Sequence, residues 1–326
     1  EVIMNDCLAE RIENYLKKYM VFSIDEETTA ITLWIVGTYL MDGWQLWPKL
    51  YINSPEKECG KTRLLSIVEA LVKDGKMASN ITPSALNRII ESNRPTLCID
   101  EADRFLNNNA ELNGVINAGH TRRTAVRIIS DKNLAGKWEA KEFSLWGAQA
   151  LAGIGDQSDT LMSRSIKIRL RRKHRKDTVE PFPHNFFEKS EPLRLAVEEW
   201  SAMNKGLPFQ QNIHSPVGGS DRASDNWIPL FQIATTFGQI WIDKAKKAYD
   251  RMEASNINND DQSVRLELLS DIDRLIEGFM DDVIPSRNLL NKLINYSKSK
   301  GVYRLIDRII FEFVDKIETQ ILKKKK

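Results

Sequence analysis

The spacing of apolar positions along the chain changes character twice. Leu8 to Tyr19 and Glu26 to Met41 carry apolar residues three and four apart, which predicts two helices ahead of the first strand, covering one face of a sheet. From Lys49 to Arg171 short β-type runs alternate with helical ones: LYIN, a helix over 61–72, KMASNIT, a helix near 84–91, TLCID, a helix around 110–118, ALAGI and SIKIRL. Such alternation predicts an α/β protein with a mostly parallel sheet, helices on both faces and a ligand at the carboxyl ends of the strands. Two strand-like runs, Thr124–Ser130 and Trp138–Leu145, flank the polar turn DKNLAGK and predict a β-hairpin inserted before ALAGI.

After Pro181 and Pro183 the period is helical again, over 192–203, 223–239 and 241–254, with Gly218-Gly219-Ser220 as a loop. A polar linker from Asn256 follows. The last segment predicts helices near 265–280, 286–298 and 305–322, a small helical or winged-helix-like module. No internal repeat stands out.

Composition narrows the class. At 326 residues, with 42% hydrophobic and 28% charged residues, the chain is globular in balance and long enough for about two domains. No apolar run approaches the ~18 residues of a membrane span, and the start of the chain lacks the layout of a signal peptide, so a cytosolic address is expected. Cys7, Cys59 and Cys98 lack metal-ligand spacing and are expected as free thiols. The chain opens on Glu1, which leads us to expect a longer parent protein. The net charge of +2 is small but unevenly spread: Arg164–Lys176 is basic with no acid, and the chain ends in four lysines.

The most specific signal is SPEKECGKT, residues 54–62, between an apolar strand and a helix. In a phosphate loop, backbone amides cradle phosphates, a Lys reaches the terminal ones and a hydroxyl ligates Mg²⁺. Gly60, Lys61 and Thr62 stand where that chemistry needs them, and Glu56, Lys57, Glu58, Cys59 and Arg63 complete the predicted nucleotide-binding stretch. Pro55 replaces the usual first Gly; it fixes φ near −65° and removes one donor, so the loop must begin differently. The partner motif is PTLCIDEAD, an apolar strand ending in two carboxylates. Asp100 is the candidate Mg²⁺ ligand with Thr62, Glu101 the residue that polarises the attacking water, and Asp103 a helix-capping residue.

Together with NAGHTRR, ALAGIG, LMSRSIKIRLRR and DRASDNWIPL, these motifs resemble, in order over about residues 26–245, the domain-of-unknown-function P-loop ATPases found beside primase modules in phage, plasmid and other mobile-element proteins. The resemblance implies an AAA+-like or superfamily-three-helicase-like fold with a strand between the two Walker strands and a helical lid. It also implies ATP and Mg²⁺ as cofactors and a role in DNA replication or handling. Arg164, just before the last strand, is then similar to an arginine finger acting in a neighbour's site, and Arg222 to a second sensor closing onto the γ-phosphate. The hairpin falls where helicases of this class carry a pore hairpin, with Lys132 and Lys137 to grip a single-stranded backbone and Trp138 to stack on a base. Asp156-Gln157-Ser158 replaces the usual first sensor and leaves that role unassigned. His120, Arg122 and Arg123 are candidates for nucleotide or DNA contact, with a structural role the alternative for His120.

The expected organisation is therefore N-terminal helices over 1–48, an ATPase core over 49–183 with the hairpin at 124–145, a helical lid over 184–255 and a C-terminal extension over 256–326. The expected partners are further copies of the chain, with a hexameric ring as one form, single-stranded or duplex DNA and an upstream primase module; no membrane is expected. Two other readings stay open on sequence alone: a nucleotide-gated switch without strand translocation, and a small-molecule P-loop kinase. The adjacent Glu101 and a candidate finger favour water as the nucleophile over the kinase.

Overall fold

A computed structural model of the chain describes residues 2–78, 81–106, 109–132, 136–206, 209 and 221–253. The chain divides into two units, Glu1–Glu253 and Ala254–Lys326, and the described residues all belong to the first. The helices predicted beyond residue 256 and the Gly218–Ser220 loop lie outside them.

Five parallel strands form the central sheet: β1 (Lys49–Ser54), β2 (Lys76–Ala78), β3 (Leu97–Ile99), β6 (Gln149–Ile154) and β7 (Ser165–Arg169), in the order β2-β3-β6-β1-β7. All six residues of β1 are buried, as expected of a parallel strand covered on both faces. β6 lies between β1 and β3, pairing Leu50 with Ala150 and Ile99 with Leu151, which meets the expectation of a strand between the two motif-bearing ones. Each strand is followed by a connection that begins at its carboxyl end, so Ser54, Asp100 and Gly155 emerge along one edge of the sheet.

Helices α1 (Val2–Tyr19), α2 (Glu26–Thr38), α3 (Lys61–Leu71), α4 (Pro83–Asn93), α5 (Ala102–Leu106) and α6 (Ala110–Ala118) precede the hairpin, which consists of β4 (Val126–Lys132) and β5 (Trp138–Ser144). Every residue of α2 is buried: Ala30, Ile31, Leu33, Trp34, Ile35 and Val36 are apolar, and the two acids at its start have partners, Glu26 in Lys247 and Arg251 and Glu27 in the Arg169 amide. Gly37 permits the close approach of Trp47: a Cβ there would lie 2.0 Å from the indole ring. After α7 (Asp159–Met162) and β7 come α8 (Phe186–Met203), α9 (Asp221–Thr236) and α10 (239–253). α8 packs on α1 and α3, and α9 on α2 and β7.

Element ends differ from the sequence-based expectation for local reasons. Among the described residues of KMASNIT the strand is Lys76–Ala78, and by Thr82, which accepts the Ala85 amide ahead of Pro83, the chain is turning into α4. α8 starts six residues before Pro192, which sits inside it. The ring of Phe186 packs with those of Tyr15, Tyr19 and Phe182, and this aromatic burial outweighs the hydrogen bond that Pro192 removes. α9 ends at Thr236 because Gly238, at φ +94°, turns the chain into α10.

Candidate functional site

The loop after β1 turns on two left-handed residues, Glu58 (φ +64°) and Gly60 (φ +88°), before α3 begins at Lys61. Gly60 is needed twice: its φ suits a residue without Cβ, and an added Cβ would meet the Met20 methyl at 3.0 Å. Lys61 Nζ donates to Ser54 Oγ (2.6 Å) and to the Glu56 carbonyl (3.2 Å), so the ammonium lies inside the curve of the loop. Pro55, Glu56, Lys57 and Glu58 are exposed on its outer side, with Cys59 buried beneath. The start of α3 presents free backbone amides on the same side, a geometry suited to phosphate.

The two motifs meet at the sheet edge. Thr62 Oγ1 donates to Asp100 Oδ2 at 2.7 Å across 38 residues of sequence. Asp100 Oδ1 accepts the Glu101 amide at 2.8 Å, and Glu101 itself has φ +52°, an unfavourable conformation for a non-glycine residue of the kind that gathers at functional sites. The Glu101 carboxylate is tethered to Arg104 (2.8 Å), a partner that no sequence motif marked. Asp103 does not cap its own helix; its carboxylate accepts the Ile154 amide (3.2 Å) and ties α5 to the end of β6. Beyond β6, Asp156 accepts from Asn53 Nδ2 (2.5 Å) and faces Arg169 (3.5 Å).

A cleft of about 430 Å³ opens beside the loop, within the ~300–1,000 Å³ range of small-molecule sites. Gly60, Lys61, Thr62 and Arg63 form one side; Tyr19, Met20, Val21 and Val179 supply apolar surface, and Arg171 and Lys173 supply charge. The apolar contributors come from the turn after α1 and from the segment before α8, regions that carry no motif because their residues are common hydrophobes. In the basic stretch after β7, Arg171 grips Asp177 (2.6 and 3.2 Å), and Arg172 faces Glu58 of the loop after β1 (3.2 Å).

Arg164 and Arg222 lie at the other end of the sheet. The Lys49 amide donates to the Arg164 carbonyl (3.0 Å) and Ser165 pairs with Lys49, which places Arg164 at the amino end of β1. Arg164 Nη1 donates to the Thr160 carbonyl (3.1 Å), and Arg222 Nη1 to Ser163 Oγ (3.0 Å). Neither arginine is brought to the phosphate loop of its own chain. Lys49 is fully buried beneath them, and that burial, with the Arg164 charge, pushes its pKa down to about 7. His120 is buried beside Asn226 (Nε2 to Oδ1, 2.8 Å); burial holds it neutral, with a pKa near 4, and the charges of Lys49, Arg164 and Arg222 act in the same direction. It is 7% exposed and lies away from the loop after β1. Arg122 donates to the Asp42 carbonyl (2.6 Å).

In the hairpin, Lys132 stands opposite Trp138 and Val126 opposite Ser144. Directly opposed residues share a face, so Val126, Ile128 and Trp138 lie on one side, all exposed, with Trp138 at 67%. The other side seats the hairpin on the core through buried Phe143 and through the Arg127–Glu111 ion pair with α6. Lys137 is adjacent to Trp138 at the turn, and the Lys132 side chain lies outside the described residues.

Among the described residues no group of three or more His, Cys, Asp or Glu is placed to hold a metal alone. Thr62 and Asp100 nevertheless supply a hydroxyl and a carboxylate, the hard oxygen donors that Mg²⁺ takes when substrate phosphates complete its shell. Among the described residues no helix is long and apolar enough to cross a membrane.

Fold and loop together define a P-loop NTPase-like α/β protein. Residues 169–300 match the family described as "Protein of unknown function (DUF3631)", so that domain is present where the motif resemblance placed the lid and its flanks; the phosphate loop and Asp100 lie upstream of the match. Among solved structures the chain is similar to one titled "SCCmec type IV Cch - active helicase", at 11% identity and a TM-score of 0.42, covering 78% of this chain and 54% of that one. The chain thus spans about half the length of that protein. No curated protein matches.

Proposed function

We propose that this chain is a Mg²⁺-dependent ATPase that works as a homo-oligomer and handles nucleic acid, a helicase or DNA-remodelling motor of a phage or mobile-element replication protein. The observation that carries the ATPase reading is the 2.7 Å bond between Thr62 and Asp100, which joins a phosphate-loop hydroxyl to a strand-end carboxylate at the edge where α/β sheets bind ligands. Lys61 would exchange Ser54 and Glu56 for the terminal phosphates, while loop and α3 amides hold the rest. Tyr19, Met20 and Val21 offer an apolar wall for the base. Thr62 and Asp100 would hold Mg²⁺ together with the phosphates, and the ion would supply charge neutralisation there. Glu101, positioned by Arg104, orients the attacking water and takes up its proton.

Arg164 and Arg222 serve the site of a neighbouring copy, since both lie across the sheet from their own. Residues 184–255 act as the lid, and α8 packing on α3 ties that lid to the helix that starts at Lys61. The hairpin carries the nucleic-acid contact through Lys132, Lys137 and Trp138. An upstream primase module is the partner that the family resemblance suggests.

The test is binding of a fluorescent ATP analogue and phosphate release by purified protein. Lys61→Ala should weaken binding and abolish release, and Glu101→Gln should bind yet turn over slowly. Near-wild-type turnover in either folded variant would remove the site.

A further inference from the structure

A chain of hydrogen bonds joins the root of the hairpin to the two arginines. His120 sits between α6 and the hairpin, and its backbone is held by Trp47, whose amide donates to the His120 carbonyl (3.0 Å). Its ring meets Asn226 of α9 at 2.8 Å, and Asn226 Nδ2 donates to the Ser163 carbonyl (3.0 Å). Ser163 Oγ accepts from Arg222 (3.0 Å) and donates to the Thr160 carbonyl (3.2 Å), which also accepts from Arg164 (3.1 Å).

Donor logic orders this chain. A carbonyl only accepts, so the Asn226 amide nitrogen must face Ser163 and its Oδ1 must face His120. The ring therefore donates from Nε2, and Nδ1 lies toward the Thr121 hydroxyl (3.4 Å). Both His120 and Asn226 are buried, at 7% and 2% exposure, so neither can exchange its partner for water without cost. Thr121 leads directly into Arg122–Thr124 and β4. A shift of the hairpin root must move His120, or break its bond to α9.

Resting on the ATPase reading with Arg164 and Arg222 acting on a neighbouring site, we infer that His120 and Asn226 are positioning residues that transmit strand engagement at the hairpin to the two arginines. They touch neither nucleotide nor strand. Their effect is on the rate with which a neighbour's ATP is hydrolysed when a strand is bound.

The experiment compares wild type, His120→Gln and His120→Leu in three assays: ATPase with and without single-stranded DNA, affinity for that strand, and hydrogen exchange of residues 158–164. Gln keeps an N–H donor for Asn226, whereas Leu leaves Oδ1 buried without one. His120→Leu should lose strand stimulation by about tenfold, within the range that such networks carry, with KM for ATP and strand affinity unchanged. His120→Gln should retain it. Strand binding should alter exchange at 158–164 in wild type and Gln but not in Leu. Because His120→Leu is informative only when folded, Thr121→Val, which removes the outer bond to Nδ1 and keeps the ring, provides a milder second variant and should lower stimulation partway.

Full stimulation in folded His120→Leu, or equal loss in the Gln and Leu variants, overturns the inference. So does a wild type that hydrolyses ATP without strand stimulation, although the ATPase reading then stands. A wild type with no hydrolysis removes the ATPase reading, and exchange at 158–164 then decides the coupling: no His120-dependent change on strand binding overturns it.

Discussion

The Arg164 carbonyl accepts the Lys49 amide at 3.0 Å, and that bond fixes Arg164 at the end of β1 away from the phosphate loop. From Lys49 to Ser54 the strand runs about 17 Å at ~3.3 Å per residue, beyond the reach of an Arg side chain. If Arg164 meets a γ-phosphate, the nucleotide is bound to another copy.

Hydrolysis per chain should therefore rise with protein concentration as copies assemble, measured by phosphate release alongside mass by light scattering. Arg164→Ala and Glu101→Gln should each turn over only slowly alone, with a loss of about 10³-fold for the finger, and mixing them should restore part of the activity through hybrid sites. Constant specific activity from a sample shown to be monomeric would assign Arg164 another role.

Glu27 makes stability depend on pH. Its carboxylate accepts the amides of Arg169 (2.6 Å), Ser23 (3.1 Å) and Ile24 (3.4 Å), yet burial outweighs them and pushes its pKa up to about 7. A folded pKa above the unfolded value means that the protonated form is the one the fold favours. The contribution is present below about 4.5 and is lost as pH rises through about 7. Glu27→Gln removes the titrating charge but converts one accepting oxygen into a donor, so whatever offset that sets, its stability relative to wild type should rise between pH 5 and 8 by on the order of 3 kcal/mol. Denaturant midpoints that track wild type at every pH would contradict this.

Lys49 has the opposite sign. Its folded pKa is depressed to about 7, so the charged form that dominates in the unfolded chain is disfavoured on folding, and the cost grows as pH falls from about 10.5 toward 7. Lys49→Met, similar in length and without charge, should stabilise the protein by about 1–3 kcal/mol near pH 7 and less near pH 10. Equal thermal midpoints at both pH values would show that the ammonium is solvated after all.

For the hairpin, Lys132→Ala with Lys137→Ala should reduce the salt slope of single-strand binding by ~0.7 for each phosphate that is no longer neutralised. Basal ATP hydrolysis should persist while stimulation by the strand falls. Unchanged affinity and salt dependence would move the nucleic-acid contact elsewhere and strengthen the switch reading.

How much was legible beforehand differs from residue to residue. That Gly60, Lys61 and Thr62 would stand at a strand-to-helix turn and Asp100 at a strand end could be read directly, because both are local patterns: each needs a strand, a turn and a helix start within a dozen residues. The parallel sheet was legible for the same reason, as a repeated change of period along the chain. Arg104 went unread because a tether between residues three apart looks like any surface pair until Glu101 is known to bend the backbone.

Distance in space is what sequence spacing could not give. Arg222 and Arg164 are 58 residues apart and each invites a different role when read alone; only the packing of α9 on β7 puts them on one edge, opposite their own phosphate loop. Tyr19, Met20 and Val21 become a cleft wall only when the turn after α1 lies beside Gly60 and the start of α3. The chain itself determined which chemistry is present, since that depends on residue types in short order. Tertiary structure decided where each group can act and in which copy, because strand register and helix packing set distances that no local pattern encodes.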